Sequence, residues 1–274
     1  MDHPAWSEAF APDRLATIRP LALPQPMTPD WAWAGATGQG VKVAVIDSGV
    51  DGAHPLVGGV AGGVALEYDA DAPGRVRYDD SPHTDLFGHG TACAGLIRAL
   101  APQCELFSVR VLGRKLTGKG LVLAAGIRWA IDNGMHVVNL SLSTKSTDLF
   151  GPLHELVDEA YFRGVLLVSA VNNSPMPSYP SLYSSVISVA ARPHDGPQSF
   201  AYNPEPPVEF GAAGIDVDVA WLDGAVITAT GNSFAAPVVA GYAARLLSKH
   251  PGLTPFQVKT VLHAVADNAA PAGR

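Results

Sequence analysis

The sequence predicts an α/β protein: a single domain built on a doubly wound parallel sheet of about six to seven strands flanked by helices. Short β-branched runs recur along the chain, and segments with helical periodicity separate them. The 274 residues are 47% hydrophobic and 16% charged, which is enough apolar material for a large core. The runs are continuous rather than alternating, as in strands covered on both faces.

Residues 1–40 are rich in proline and alanine and show little periodicity. Residues 1–30 are read as an N-terminal arm or short propeptide-like extension, and 31–274 as the body. Trp31 and Trp33 are expected to pin the arm. Strands follow at "VKVAVID" (41–47), "ELFSVRVL" (105–112), "MHVVNLSL" (135–142), "GVLLVSAV" (164–171) and "SVISVAA" (185–191). Between them, "GLVLAAGIRWAIDNG" (120–134) reads as a helix stopped by Asn133 and Gly134. Leu153, Leu156, Val157, Ala160 and Tyr161 fall on one face of another. Two helices close the chain, near 233–249 and 254–267. Thr254 is placed as the N-cap of the second and Pro255 at its first position.

A net charge of −7 gives no basic face for nucleic acid, and no apolar run is long enough to span a membrane. The first residues, "MDHPAWSEAF", lack a basic region followed by an apolar stretch. The expected location is therefore cytoplasmic, or secreted if a leader has been trimmed. Cys93 and Cys104 sit in apolar contexts and are expected to be buried thiols.

In open α/β sheets, functional groups gather beyond the carboxyl ends of the strands. That rule points to Asp47, to Ser141, Leu142 and Ser143, and to Asn172 and Asn173. Asp47 in "VAVIDSG" has an ordinary reading as a turn residue. His89 in "DLFGHGTACAGLI" reads as a helix-mouth histidine, and Ser233 in "TATGNSFAAP" as an N-cap. Together they suggest more. A serine hydroxyl is a poor nucleophile until an imidazole takes its proton, and the imidazole must be held in one tautomer by a carboxylate. The Gly-x-Ser-x-Gly elbow of α/β-hydrolases does not fit Gly231-Asn232-Ser233-Phe234-Ala235.

The chain order Asp, His, Ser is that of subtilisin. With "VAVIDSGVDGAHP", "HGTACAG" and "GNSFAAPVVAG" in that order, the chain resembles the subtilisin-like serine proteases (subtilases) over roughly residues 31–268. The resemblance implies a serine endopeptidase with Asp47, His89 and Ser233 as its triad, working through an acyl-enzyme without a cofactor. It implies Asn173 in "LLVSAVNNS" as oxyanion donor, with Asn172 as runner-up where the family has glycine. It also implies that a peptide or protein substrate lies extended between Leu116, Thr117 and Gly118 on one side and Ser141, Leu142 and Ser143 on the other. Asn172 would stand near the pocket for the residue before the cut bond.

Some features depart from the family. Its secreted members carry a calcium-cradling insertion in the helix after the histidine, whereas "HGTACAGLIRALAPQCELF" runs straight from helix to strand. Leu56 replaces a family carboxylate, so no metal is expected at that site. The acidic stretch 67–85 reads as a solvated loop, with a cation site as the alternative. Asn232 precedes the serine where the family usually has threonine. Residues 15–26, "LATIRPLALPQP", are read as an arm packed on the surface or an extended peptide across the cleft. Two other functions are open: a maturation protease or peptide ligase/cyclase dedicated to one precursor peptide, and an inactive peptide-binding module.

Overall fold

The computed structural model describes residues 7, 11–15, 23–24, 26–193, 196–205 and 207–269. Most of the segment read as an arm or cleft peptide, 16–22 and 25, lies outside the described residues.

A single turn, α1 (Pro12–Leu15), and a short helix, α2 (Pro29–Trp33), precede the sheet. Then come β1 (Lys42–Asp47), β2 (Gly62–Tyr68), β3 (Val76–Asp79), α3 (His89–Leu100), β4 (Glu105–Arg110), α4 (Gly120–Asp132) and β5 (Val137–Leu140). The second half continues with α5 (Phe150–Phe162), β6 (Leu166–Ala170), β7 (Ile187–Arg192), β8 (Phe200–Tyr202) and β9 (Phe210–Ala213). A separate hairpin, β10 (Val217–Ala220) with β11 (Val226–Ala229), leads into α6 (Asn232–Lys249) and α7 (Pro255–Ala264).

The main sheet has nine strands in the order β3-β2-β4-β1-β5-β6-β7-β9-β8. From β2 to β9 every neighbouring pair is parallel, in keeping with the expected six to seven strands. The two antiparallel edges, β3 and β8, were not expected. Each buries only its first residue, so neither carries the apolar run that marks an interior strand.

Alternation along β1 explains its unbroken hydrophobicity. Val43 and Val45 enter the core layer beneath α3, α6 and α7, whereas Ala44 and Ile46 enter the layer beneath α4 and α5. The helices fall where the periodicity puts them. α5 buries Leu153, Leu156, Val157 and Ala160, and α4 ends with Gly134 at φ 65°. α7 opens with Thr254 and Gln257 capping each other's backbone N–H groups, as Thr254 and Pro255 predict.

The helices α3 and α6, which carry His89 and Ser233, pack closely together. A Cβ at Gly241 of α6 would come within 2.8 Å of Leu100 Cβ on α3, so glycine permits this approach. Trp31 stacks on His250 with ring centroids 4.2 Å apart, and Trp33 packs on Tyr242. Arg245 donates to the carbonyls of Trp33 and Ala36, so this part of the chain is pinned to α6 as expected. Cys93 and Cys104 are buried free thiols. Burial pushes both up, Cys104 to about 11. No described helix is long and apolar enough to cross a membrane.

Candidate active site

Asp47 is the last residue of β1 and is fully buried. Both of its carboxylate oxygens lie 2.9 Å from His89 Nδ1, and Oδ1 also accepts the Ser48 N–H at 2.7 Å. An acid used only to shape a turn would not hold an imidazole 42 residues away. The approach depends on Gly90. A Cβ there would run into the Gly49 carbonyl oxygen and stand 3.1 Å from Asp47 Cβ. Any larger residue would therefore push the start of α3 away from the end of β1.

Burial presses the His89 pKa down, but the Asp47 charge, the hydrogen bond to it and the charge of Asp85 outweigh that. The net result is a pKa raised above 6.5. The role of Asp85 was not legible in the sequence, where it belongs to the acidic stretch. Its Oδ1 accepts Ser48 Oγ at 2.8 Å and the N–H groups of Phe87 and Gly88, both at 2.9 Å. Its Oδ2 accepts the N–H and hydroxyl of Thr91 at 2.8 and 2.7 Å. A buried carboxylate this well supplied with donors ties the first turn of α3 to the residue following Asp47. An aspartate shortly before a helix start is the one sequence signal that hints at it.

Ser233 is not an N-cap. It lies inside the first turn of α6, and its Oγ donates to the Ser141 carbonyl at 3.3 Å instead of accepting a helix N–H. Pro237, one turn further along α6, has no N–H to offer the carbonyl four residues earlier. That carbonyl belongs to Ser233. It accepts the Ser141 hydroxyl at 2.8 Å, with the Cys93 thiol 3.6 Å away. The proline therefore frees a backbone oxygen by which the end of β5 grips the start of α6.

The expected direct bond from the Ser233 hydroxyl to the imidazole is replaced by the one to Ser141. Both His89 and Ser233 nevertheless line one cavity of about 370 Å³. A serine hydroxyl turns by rotation about χ1 alone, and catalytic hydrogen bonds commonly tighten only with substrate in place. The same cavity is lined by Leu116, Thr117, Gly118, Ser141, Leu142 and Ser143, so the two predicted segments do face one space. Leu116 holds φ 53°, a left-handed conformation unusual for a branched side chain.

The two asparagines separate clearly. Asn173 Oδ1 accepts the N–H of Asn232, next to Ser233, at 3.0 Å. Asn172 Oδ1 instead accepts the Ser174 N–H at 2.8 Å, and the residue lines a different cavity of about 270 Å³. The Asn172 side chain is thus engaged in a local turn, whereas that of Asn173 meets the start of α6.

The residues present do not fit the calcium of the family's secreted members. α3 runs unbroken for 12 residues, and Leu56 offers no oxygen ligand from its side chain. In the acidic stretch, Glu67 pairs with Arg77 at 2.6 Å, while Asp69 and Asp79 cap local turns. Among the described residues, Asp47, His89 and Cys93 form the group with metal-ligand spacing. There the carboxylate and Nδ1 already engage each other, and burial keeps the thiol protonated.

An α/β sheet with a buried Asp–His pair beside a serine at a helix mouth defines a class of serine hydrolases. The chain belongs to the subtilase family, whose model matches residues 38–274. It is 35% identical over 243 residues to Subtilisin Savinase of Lederbergia lenta, covering 85% of each chain. It is also 35% identical to a thermostable alkaline protease of Halalkalibacterium halodurans and 34% identical to the minor extracellular protease Epr of Bacillus subtilis. The match spans only 63% and 39% of those two relatives, against 85% and 91% of this chain. A cold adapted subtilisin-like serine proteinase superposes with TM-score 0.66 at 28% identity, covering 86% of both chains.

Proposed function

We propose that this protein is a serine endopeptidase whose peptidase unit is residues 31–274, with 1–30 as an arm. The observation that carries the reading is the Asp47–His89 pair beside Ser233 in one cavity lined by the two segments suited to an extended peptide. Asp47 holds His89 Nδ1–H, leaving Nε2 free to act as a base. Ser233 Oγ attacks the scissile carbonyl carbon as Nε2 takes its proton. The oxyanion is held by Asn173 Nδ2 and the Ser233 N–H. Collapse breaks the C–N bond, and His89 returns the proton to the leaving amine. Water, activated by the same base, then releases the acid and regenerates the serine.

Backbone pairing with Leu116, Thr117 and Gly118 on one side and Ser141, Leu142 and Ser143 on the other suits an extended peptide of varied sequence. The chemistry requires no cofactor. The protease names of the relatives favour hydrolysis over ligation, and retention of all three triad residues argues against an inactive binding module. A cytoplasmic site of action gains no support from them, since one is named an extracellular protease; a secreted protease is the reading they favour. Profiling a peptide library by mass spectrometry tests the function. New termini at internal bonds are expected, and joined or cyclised products instead would favour the ligase reading.

The environment of His89 gives a pH prediction. Only neutral imidazole can accept the proton, so kcat/KM should rise on the acid side with a midpoint above 6.5. Asp85→Asn removes a charge that favours imidazolium, so in a variant whose melt shows the start of α3 still held the midpoint should move to lower pH. An upward movement would contradict the assigned electrostatics. A chelator, by contrast, should leave Tm unchanged in a thermal melt, and a large drop would reveal a bound cation.

A further inference from the structure

Asn232, the residue before the nucleophile, uses three of the four hydrogen-bonding positions of its side chain to hold two strand ends. Its Oδ1 accepts the Ala191 N–H at 2.8 Å, within β7. Its Nδ2 donates to the carbonyls of Val171 and Asn172 at 3.2 and 3.0 Å, just beyond β6. The partners fix the amide orientation: the oxygen faces a donor and the nitrogen faces two acceptors. The backbone N–H of the same residue meets Asn173 Oδ1 at 3.0 Å. Asn173 therefore presents its oxygen to Asn232, and its Nδ2 is left as the end available to an oxyanion. That nitrogen lies 3.8 Å from the place a Cβ would occupy on Gly231, beside the mouth of α6.

We propose that Asn232 is a positioning residue that sets the spacing and aim of the Asn173 donor relative to Ser233. Its side chain holds Val171 and Asn172 from one side, and its N–H turns the Asn173 amide from the other. Threonine, the residue the family usually carries here, has one hydroxyl and cannot make all three side-chain bonds. The local geometry of the donor is therefore tied to asparagine in this chain. The inference rests on the protease reading and on Asn173 as the donor. A stability role alone would follow from the side-chain bonds, but it gives no reason for an effect specific to the Asn173 donor.

A double-mutant cycle tests it. Asn232→Ala, Asn173→Ala and the combined variant are compared for kcat, KM and melting temperature on one peptide substrate. Asn232→Ala should lower kcat by about 10- to 100-fold, the scale of a misplacement of about 1 Å, with KM within about threefold of wild type. In the Asn173→Ala background the same change should cost about twofold or less, because the donor it positions is gone. Equal losses in both backgrounds, or an unchanged kcat, would overturn the positioning role. So would an Asn173→Ala variant with full kcat. If Asn232→Ala melts too low to assay, Asn232→Thr carries the same cycle with the same expectation of non-additivity. A wild-type protein that cleaves no peptide would strike the protease reading itself and is thereby distinguished from these outcomes.

Discussion

Ser233→Ala is expected to lower kcat by about 10⁶, and His89→Ala by a similar factor, magnitudes that come from a subtilisin rather than from this chain. Neither residue works alone. Without the hydroxyl the imidazole has no proton to take, and without the imidazole the hydroxyl stays protonated and unreactive. The double replacement should therefore be scarcely slower than either single one. The serine change should leave the fold almost untouched. Its hydroxyl makes one long bond of 3.3 Å, and a bond of ordinary strength contributes only about 0.5–1.5 kcal/mol. Kinetics and thermal melts on the same preparations separate the two effects. A large fall in Tm with Ser233→Ala would mean that the residue is structural.

Asn173→Ala is the second large effect. It should reduce kcat by about 10²–10³, again the scale known from a subtilisin oxyanion donor. KM should change little, because the donor meets negative charge only as the tetrahedral intermediate forms. The result bears on the choice between neighbours. Asn172→Ala should have a much smaller effect on kcat, since its side-chain oxygen is engaged by Ser174 and it lines another cavity. Steady-state kinetics on both variants decide it. A larger loss at Asn172 than at Asn173 would reverse the assignment.

The interior of the fold was legible because β1, β5 and β6 are covered on both faces, leaving continuous apolar runs in the sequence. The edges were not. β3 and β8 bury one residue each, and β11 alternates between exposed and half-buried positions, so their sequences resemble loops. Asp47, His89 and Ser233 were legible because their types and chain order carry a chemical meaning that no single one has. Asp85 was hidden among carboxylates that resemble it. What distinguishes it is its burial and the hydrogen bonds it accepts from Ser48 and Thr91, and Ser48 lies 37 residues away. Asn172 and Asn173 are identical neighbours, so residue type cannot separate them. What distinguishes them in the structure is the N–H of Asn232, 59 residues further on, which meets Asn173. Asn232 stands out in the sequence as a departure from threonine, but its bonds to Val171, Asn172 and Ala191 exist only after the strands have assembled.

Reaction with a fluorophosphonate, followed by intact mass and peptide mapping, asks most directly whether Asp47 and His89 activate Ser233. Wild-type protein should gain one adduct, mapped to Ser233, with no adduct on Ser233→Ala and very slow labelling of His89→Ala. A wild type that resists labelling, or that labels as fast without His89, would contradict the account.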